Sequence, residues 1–186
     1  MASCSVLIAD GFEEIEAITV IDVLRRAGVE VTTLGTASSQ PMGAHGMSLA
    51  TDGLLADQTD KLWDLVVLPG GMPGSANLRD DPRVQALVTS QNAAGRKLAA
   101  ICAAPIALSS AGILSGRTVT SYPSFADQLT ETRYSDERVC IDGHITTSRA
   151  PGTALEFALS LVAQLVSPTR AKELATEMLV PTPAAT

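Results

Sequence analysis

Lys97–Gly112, KLAAICAAPIALSSAG, is the stretch whose reading decides the fold. Five residues of strand character run straight into Cys102, and a small-residue helical pattern follows at once. A side chain at such a strand-to-helix junction is held on a tight turn beside the free N–H groups of the new helix, which favour negative charge. A cysteine placed there is a candidate low-pKa thiolate, the form that attacks electrophiles and reacts with oxidants. The ordinary alternative for any free cysteine is burial as a small apolar residue. The junction favours the reactive reading for Cys102, whereas Cys4 and Cys140 lie inside strand patterns and read as core.

Working outward, Ser3–Ala9 is a short apolar run suited to a strand buried on both faces. Asp10-Gly11 turns the chain into a helix that begins among Glu13, Glu14 and Glu16, runs to about Ala27 and stops at Gly28. Val29–Gly35 is a second strand, and Pro41–Leu55 suggests a hairpin or short irregular strands. Asp64–Pro69 is a buried strand ending in Gly70-Gly71, Asp81–Ala94 is a helix, and Lys97–Ile101 is the strand before Cys102. Thr118–Ser121 reads as a strand and Val139–Thr147 as two strands around the Asp142-Gly143 turn. Pro151–Val166 reads as a helix stopped by Pro168, and Thr169–Leu179 as a final helix. Strands alternate with helices, which predicts an α/β three-layer sandwich with a mainly parallel sheet. Residues 1–180 are expected to form a single domain, with 181–186 as a frayed tail.

Composition narrows the function. The 186 residues carry a net charge of −7, which argues against nucleic acid as the main partner. No apolar run reaches the roughly 18 residues of a membrane span, and the first residues lack the basic region of a signal peptide. Three cysteines without CxxC spacing make neither a disulfide framework nor a zinc site. A cytoplasmic, reduced, single-domain protein without a metal site is the expectation.

In such a sheet ligands bind outside the carboxyl ends of the strands, at a topological switch point. The turn before Glu16, the Gly70-Gly71 turn and Cys102 all fall there. Glu16 shares a helix face with Val20, Val23, Leu24 and Ala27, so a carboxyl group heads the apolar stripe. It either leans back into solvent or is buried, and burial would raise its pKa and let it donate a hydrogen bond to a thiolate. Glu13 and Glu14 are expected to serve the helix terminus. Gly70-Gly71 is either a plain turn or, with the Ala103 N–H, an oxyanion hole. Arg149 could be a pocket cation or a loop solvator. Neither His45 nor His144 has the sequence context of a Cys–His pair.

DGFEEIEA (10–17), the Val67-Leu68-Pro69-Gly70-Gly71 turn, AAICAAP (99–105) and TSRAPGTALEFAL (147–159) together resemble the ThiJ/PfpI superfamily, in its small DJ-one branch. The resemblance covers nearly the whole chain and implies a flavodoxin-like, class I glutamine-amidotransferase-like fold. It implies that Cys102 is the reactive cysteine of a nucleophile elbow and Glu16 its protonated partner. Gly71 and Ala103 become the backbone donors, and Gly70 shapes the turn. Members of the branch are homodimers, and Arg26 and His45 match positions that reach the neighbouring subunit's site. Many members carry a histidine where TVTSYPSF (118–125) places Tyr122, so a histidine base is not expected, and Tyr122 would bind substrate or relay a proton. The protease branch has histidine directly after the cysteine; here Ala103 stands there, which argues against peptidase activity. The implied activity is a cofactor-free glyoxalase or deglycase acting on methylglyoxal, glyoxal or their early adducts. The competing readings are a redox sensor or chaperone acting through Cys102 oxidation, and another hydratase such as an isonitrile hydratase.

Overall fold

The computed structural model describes residues 1–58 and 61–181; the expected tail therefore falls, from 182 onward, outside the described residues. In chain order the elements are β1 (Ser3–Ile8), α1 (Glu14–Arg26), β2 (Glu30–Gly35), β3 (Gly53–Leu54), β4 (Leu65–Leu68), α2 (Gly74–Asp80), α3 (Pro82–Ala93) and β5 (Lys97–Ile101). They continue with α4 (Pro105–Ser110), β6 (Thr118–Val119), β7 (Arg133–Tyr134), β8 (Val139–Asp142), β9 (Ile145–Ser148), α5 (Ala154–Leu165) and α6 (Pro168–Glu177).

The main sheet has the order β3-β2-β1-β4-β5-β9-β8 and is parallel except for β8, which pairs antiparallel with β9 through the expected Asp142-Gly143 hairpin. Its strands alternate strictly between two cores. Leu65, Val67, Ala99 and Ile101 pack with residues of α1, α5 and α6, whereas Val66, Leu68, Leu98 and Ala100 pack with residues of α2, α3 and α4. This period of two is why the central strands read as continuous apolar runs: both faces are covered. The architecture is a three-layer α/β sandwich. The chain leaves β1 toward β2 on one side and returns to β4 on the other, so the switch point lies between the ends of β1 and β4.

Several local readings change. The segment after Gly71 winds into α2, a short helix hidden in the sequence by Pro73 and Gly74 at its start. Pro168 does not merely stop a helix; it opens α6, with the Ser167 side chain capping the Arg170 N–H. The strand read at Thr118–Ser121 shrinks to two residues that pair with β7 in a separate sheet, because β9 occupies the edge beside β5. In the 41–55 segment an isolated antiparallel bridge joins Met42 and Ser48, and β3 adds two residues to the sheet edge.

One polar clasp inside the core fixes α3 against β4. Gln91, fully buried, accepts the Trp63 N–H at 3.0 Å and donates to the Trp63 carbonyl at 3.0 Å. It satisfies the backbone of Trp63, two residues before β4 begins. Gln91→Ala strands both backbone groups away from water and is expected to cost about 2–4 kcal/mol, read as a fall in the urea midpoint. An unchanged midpoint would show that the clasp contributes nothing.

Candidate active site

Cys102 follows β5 on the turn that the sequence predicts, with φ +63, a left-handed conformation that costs a side-chain-bearing residue about 1–2 kcal/mol. Neighbouring strands hold it there: its N–H donates to the Ser148 carbonyl at 3.0 Å, and its carbonyl accepts the Tyr122 N–H at 2.8 Å. α4 begins three residues later, at Pro105, rather than directly after the cysteine. The Ala103 N–H is thereby left free of the helix and, with the Gly71 N–H, is close enough to Cys102 to favour its thiolate.

Glu16 resolves to the buried alternative, with no exposed surface. Its Oε2 accepts the Gly70 N–H at 2.8 Å. Oε1 is buried without a hydrogen-bond partner, and the carboxyl is close enough to Cys102 for each group to shift the other's titration. Gly70 cannot be replaced without disturbing the pair: a Cβ there would collide with Glu16 Oε2 and lie 2.6 Å from Cys102 Cβ. Gly71 takes φ +90, and a Cβ on it would press into the backbone of Gly11–Glu13.

The two titrations are linked. Burial first, and the Glu13 charge second, push Glu16 up to about 8. Burial first, then the charge of an ionised Glu16 and its hydrogen bond, push the Cys102 thiol up to about 12, against the Gly71 and Ala103 N–H groups. The two causes involving Glu16 act only while that carboxyl is charged. With the proton on Glu16 the repulsion disappears and its O–H donates to sulfur, joining the two amides in favour of the thiolate. The low thiol pKa expected from the junction alone thus depends on where one proton sits. Cys4 differs: it is fully buried, and burial alone pushes its thiol far up.

The remaining predicted residues are spread around this centre. Glu13 caps α1 by accepting the Glu16 N–H, as expected, but Glu14 turns to the 41–49 loop. Its Oε1 accepts the His45 N–H at 2.7 Å and its Oε2 lies 2.8 Å from His45 Nδ1. Burial opposes ionisation of Glu14, but the bonds from His45 and Met47 outweigh it and hold the carboxyl below its usual range. The same contact raises His45. The donor atoms of Glu13, Glu14 and His45 lie within 4.8 Å of one another. Their carboxylate oxygens already serve N–H donors at a helix N-terminus, a place that favours anions, so the group is an internal hydrogen-bond unit. Tyr122 is half-exposed at 45%. Arg149 binds Asp136, with Nη1 2.6 Å from its carbonyl and 2.9 Å from Oδ1. Arg26 is exposed and paired with Asp22 at 2.6 Å. The tie missed from sequence is the Gly70 N–H to Glu16, which joins groups 54 residues apart and leaves no local signal.

Comparison with known proteins identifies the family. The family model described as DJ-1/PfpI family matches residues 2–164. Protein DJ-1 homolog A of Arabidopsis thaliana is 42% identical over 93% of this chain, which spans 45% of that relative's length. Protein dj-1beta of Drosophila melanogaster is 40% identical over 96% of this chain and 97% of its own, and a crystal structure of Drosophila DJ-1beta superposes with a TM-score of 0.95 over 97% of this chain and 99% of that one. The Caenorhabditis elegans protein named glutathione-independent glyoxalase DJR-1.2 is 37% identical over 87% of both chains. Matched by the family model over residues 2–164 and by full-length relatives at about 40% identity, the chain belongs to the DJ-1/PfpI family, in its DJ-1 branch.

Proposed function

We propose that the protein is a cofactor-free glyoxalase acting on small α-oxoaldehydes such as methylglyoxal and glyoxal, or on their early adducts with thiols and amines. The observation that carries this reading is the juxtaposition, across Gly70, of a half-buried elbow cysteine with a fully buried carboxyl group. The chemistry needs a nucleophile and a group that takes up and returns a proton within reach of it.

With methylglyoxal, the Cys102 thiolate adds to the aldehyde carbon, and the resulting alkoxide takes the Glu16 proton to give a hemithioacetal. The Glu16 carboxylate then removes the C1 hydrogen as a proton, forming an enediol-like state. Return of that proton to C2 gives the thioester of lactic acid. C1 is oxidised and C2 reduced within one molecule, so no external redox partner is required. Water adds to the thioester carbonyl as the Glu16 carboxylate takes one of its protons, the Gly71 and Ala103 N–H groups stabilise the oxyanion, and lactate leaves with its acidic proton lost to solvent, restoring the thiolate and the protonated Glu16. Tyr122 and Arg149 are assigned to the substrate side of this site, and residues 1–180 to one catalytic domain.

The dimer expected of this branch belongs to the same reading. α1 turns Ile15, Ile18, Asp22 and Arg26 outward along one stripe, and the two isoleucines are 55% and 47% exposed. An apolar helix face of that kind fits a second copy of the chain, with Arg26 and His45 approaching the partner's site. No helix among the described residues is long and apolar enough to cross a membrane.

A redox role is the second reading, favoured by the same donors: two amides and a carboxyl O–H on one sulfur would hold the oxygens of a sulfinate. Two equivalents of peroxide would supply those oxygens and leave as water.

Three outcomes are expected. Lactate should form from methylglyoxal without glutathione, disappear in Cys102→Ala and fall about 100-fold in Glu16→Gln; equal rates in wild type and Cys102→Ala would sink the assignment. Sedimentation should show a dimer that Ile15→Asp with Ile18→Asp converts to monomer, and an unchanged dimer would place the interface elsewhere. Mild peroxide should add two oxygens to Cys102 by mass spectrometry; that adduct without dicarbonyl turnover would favour the redox reading.

A further inference from the structure

α1 carries an uncommon cap. The side chains favoured at this position are the short ones of Ser, Thr, Asp and Asn, yet Glu13 stands here and accepts the Glu16 N–H at 2.8 Å. That bond closes a ring of three. The Glu13 N–H donates to the Gly70 carbonyl at 2.8 Å, and the Gly70 N–H donates to Glu16 Oε2 at 2.8 Å. Both glutamates are buried, Glu13 with 7% of its surface exposed and Glu16 with none. Ionising both would place two like charges in one region of low dielectric. The helix N-terminus, with the Glu16 N–H bonded to it, supports the negative charge on Glu13.

We propose that Glu13 is a positioning residue for the chemistry at Cys102: its carboxylate, fixed in the ring with Gly70, keeps the shared proton on Glu16 and so leaves the sulfur as thiolate. This deepens the proposed function and rests on its pairing of Cys102 with Glu16. Removing one proton from the pair gives either thiolate with carboxylic acid or thiol with carboxylate, and the balance between these forms does not depend on pH. A negative charge beside Glu16 disfavours the second form. Consistent with this, the Glu13 charge is a cause of the upward shift of Glu16 and not among the causes acting on Cys102. Glu13 is the charged group that acts on Glu16; Glu14 and His45 of the 41–49 loop lie beside Glu13, with donor atoms within 4.8 Å, and the Glu13 charge also raises His45.

The test is the pH profile of Cys102 alkylation by iodoacetamide, read by mass spectrometry, which needs no dicarbonyl substrate. Glu13→Gln keeps an oxygen acceptor for the Glu16 N–H and removes the charge. Its alkylation rate at neutral pH should fall about tenfold, then recover at high pH where both protons are gone. Glu13→Asp, which keeps the charge, should retain the wild-type profile, and the fall in Glu13→Gln should persist in a His45→Asn background. A wild-type rate in Glu13→Gln would overturn the proposal, as would equal losses in Glu13→Gln and Glu13→Asp, or disappearance of the effect without His45. Should Glu13→Gln fail to fold, infrared spectroscopy of the wild type decides. A protonated-carboxyl band that Glu16→Gln removes is expected at neutral pH, and its absence refutes the proposal. An altered alkylation profile without methylglyoxal turnover would remove the glyoxalase assignment and leave the role of Glu13 standing.

Discussion

A carboxyl group sealed at the contact between α1 and the sheet sets the terms for the rest of this structure. Glu16 is fully buried, and its anchoring hydrogen bond comes from the Gly70 backbone. A buried carboxyl without water must be neutral, hydrogen-bonded or both. The close approach of Gly70 to Glu16 and Cys102, the left-handed backbone of Cys102 and the tight seating of Gly71 on residues 11–13 all follow from bringing a strand end, a helix start and a nucleophile elbow to one point. The left-handed cysteine is costly in isolation, but the bonds to Ser148 and Tyr122 hold it from both sides.

The sheet makes that convergence possible. Because β1, β4 and β5 are parallel neighbours, their carboxyl ends open at the same edge, and the turns after them meet without long loops. The loop 41–49 then closes over the start of α1. The Gly11 N–H donates to the Met42 carbonyl at 2.7 Å and the Ala44 N–H to the Phe12 carbonyl at 2.8 Å, while the Glu14 carboxylate gathers the backbone of His45 and Met47. The three glutamates of DGFEEIEA thus divide their tasks by geometry: one caps the helix, one anchors the loop and one faces the sulfur. Composition would give all three the same role at a helix terminus.

The fold was readable because its signals are local and repeated. Continuous apolar runs of four to seven residues, separated by helical patterns and glycine stops, define a covered parallel sheet wherever they alternate. The readings that failed fell where the signal is short or non-local. α2 contains Gly74 beside Pro73, which masks its helical character, and Thr118–Ser121 has strand chemistry but loses its place beside β5 to β9.

Sequence alone determined the alternation of strands and helices, the placing of Cys102 at a strand-to-helix junction and the presence of a carboxyl group on the apolar stripe of α1. These depend on residue spacing of two or of 3.6, which is visible within a dozen residues. Only the tertiary structure decided that Glu16 is buried rather than solvated, that Gly70 binds it from 54 residues away, and that Glu13 and Glu14 face different partners. The physical reason is that burial and charge coupling belong to the packed contact between elements. They act over a few ångströms between groups far apart in the chain, and no local pattern records them.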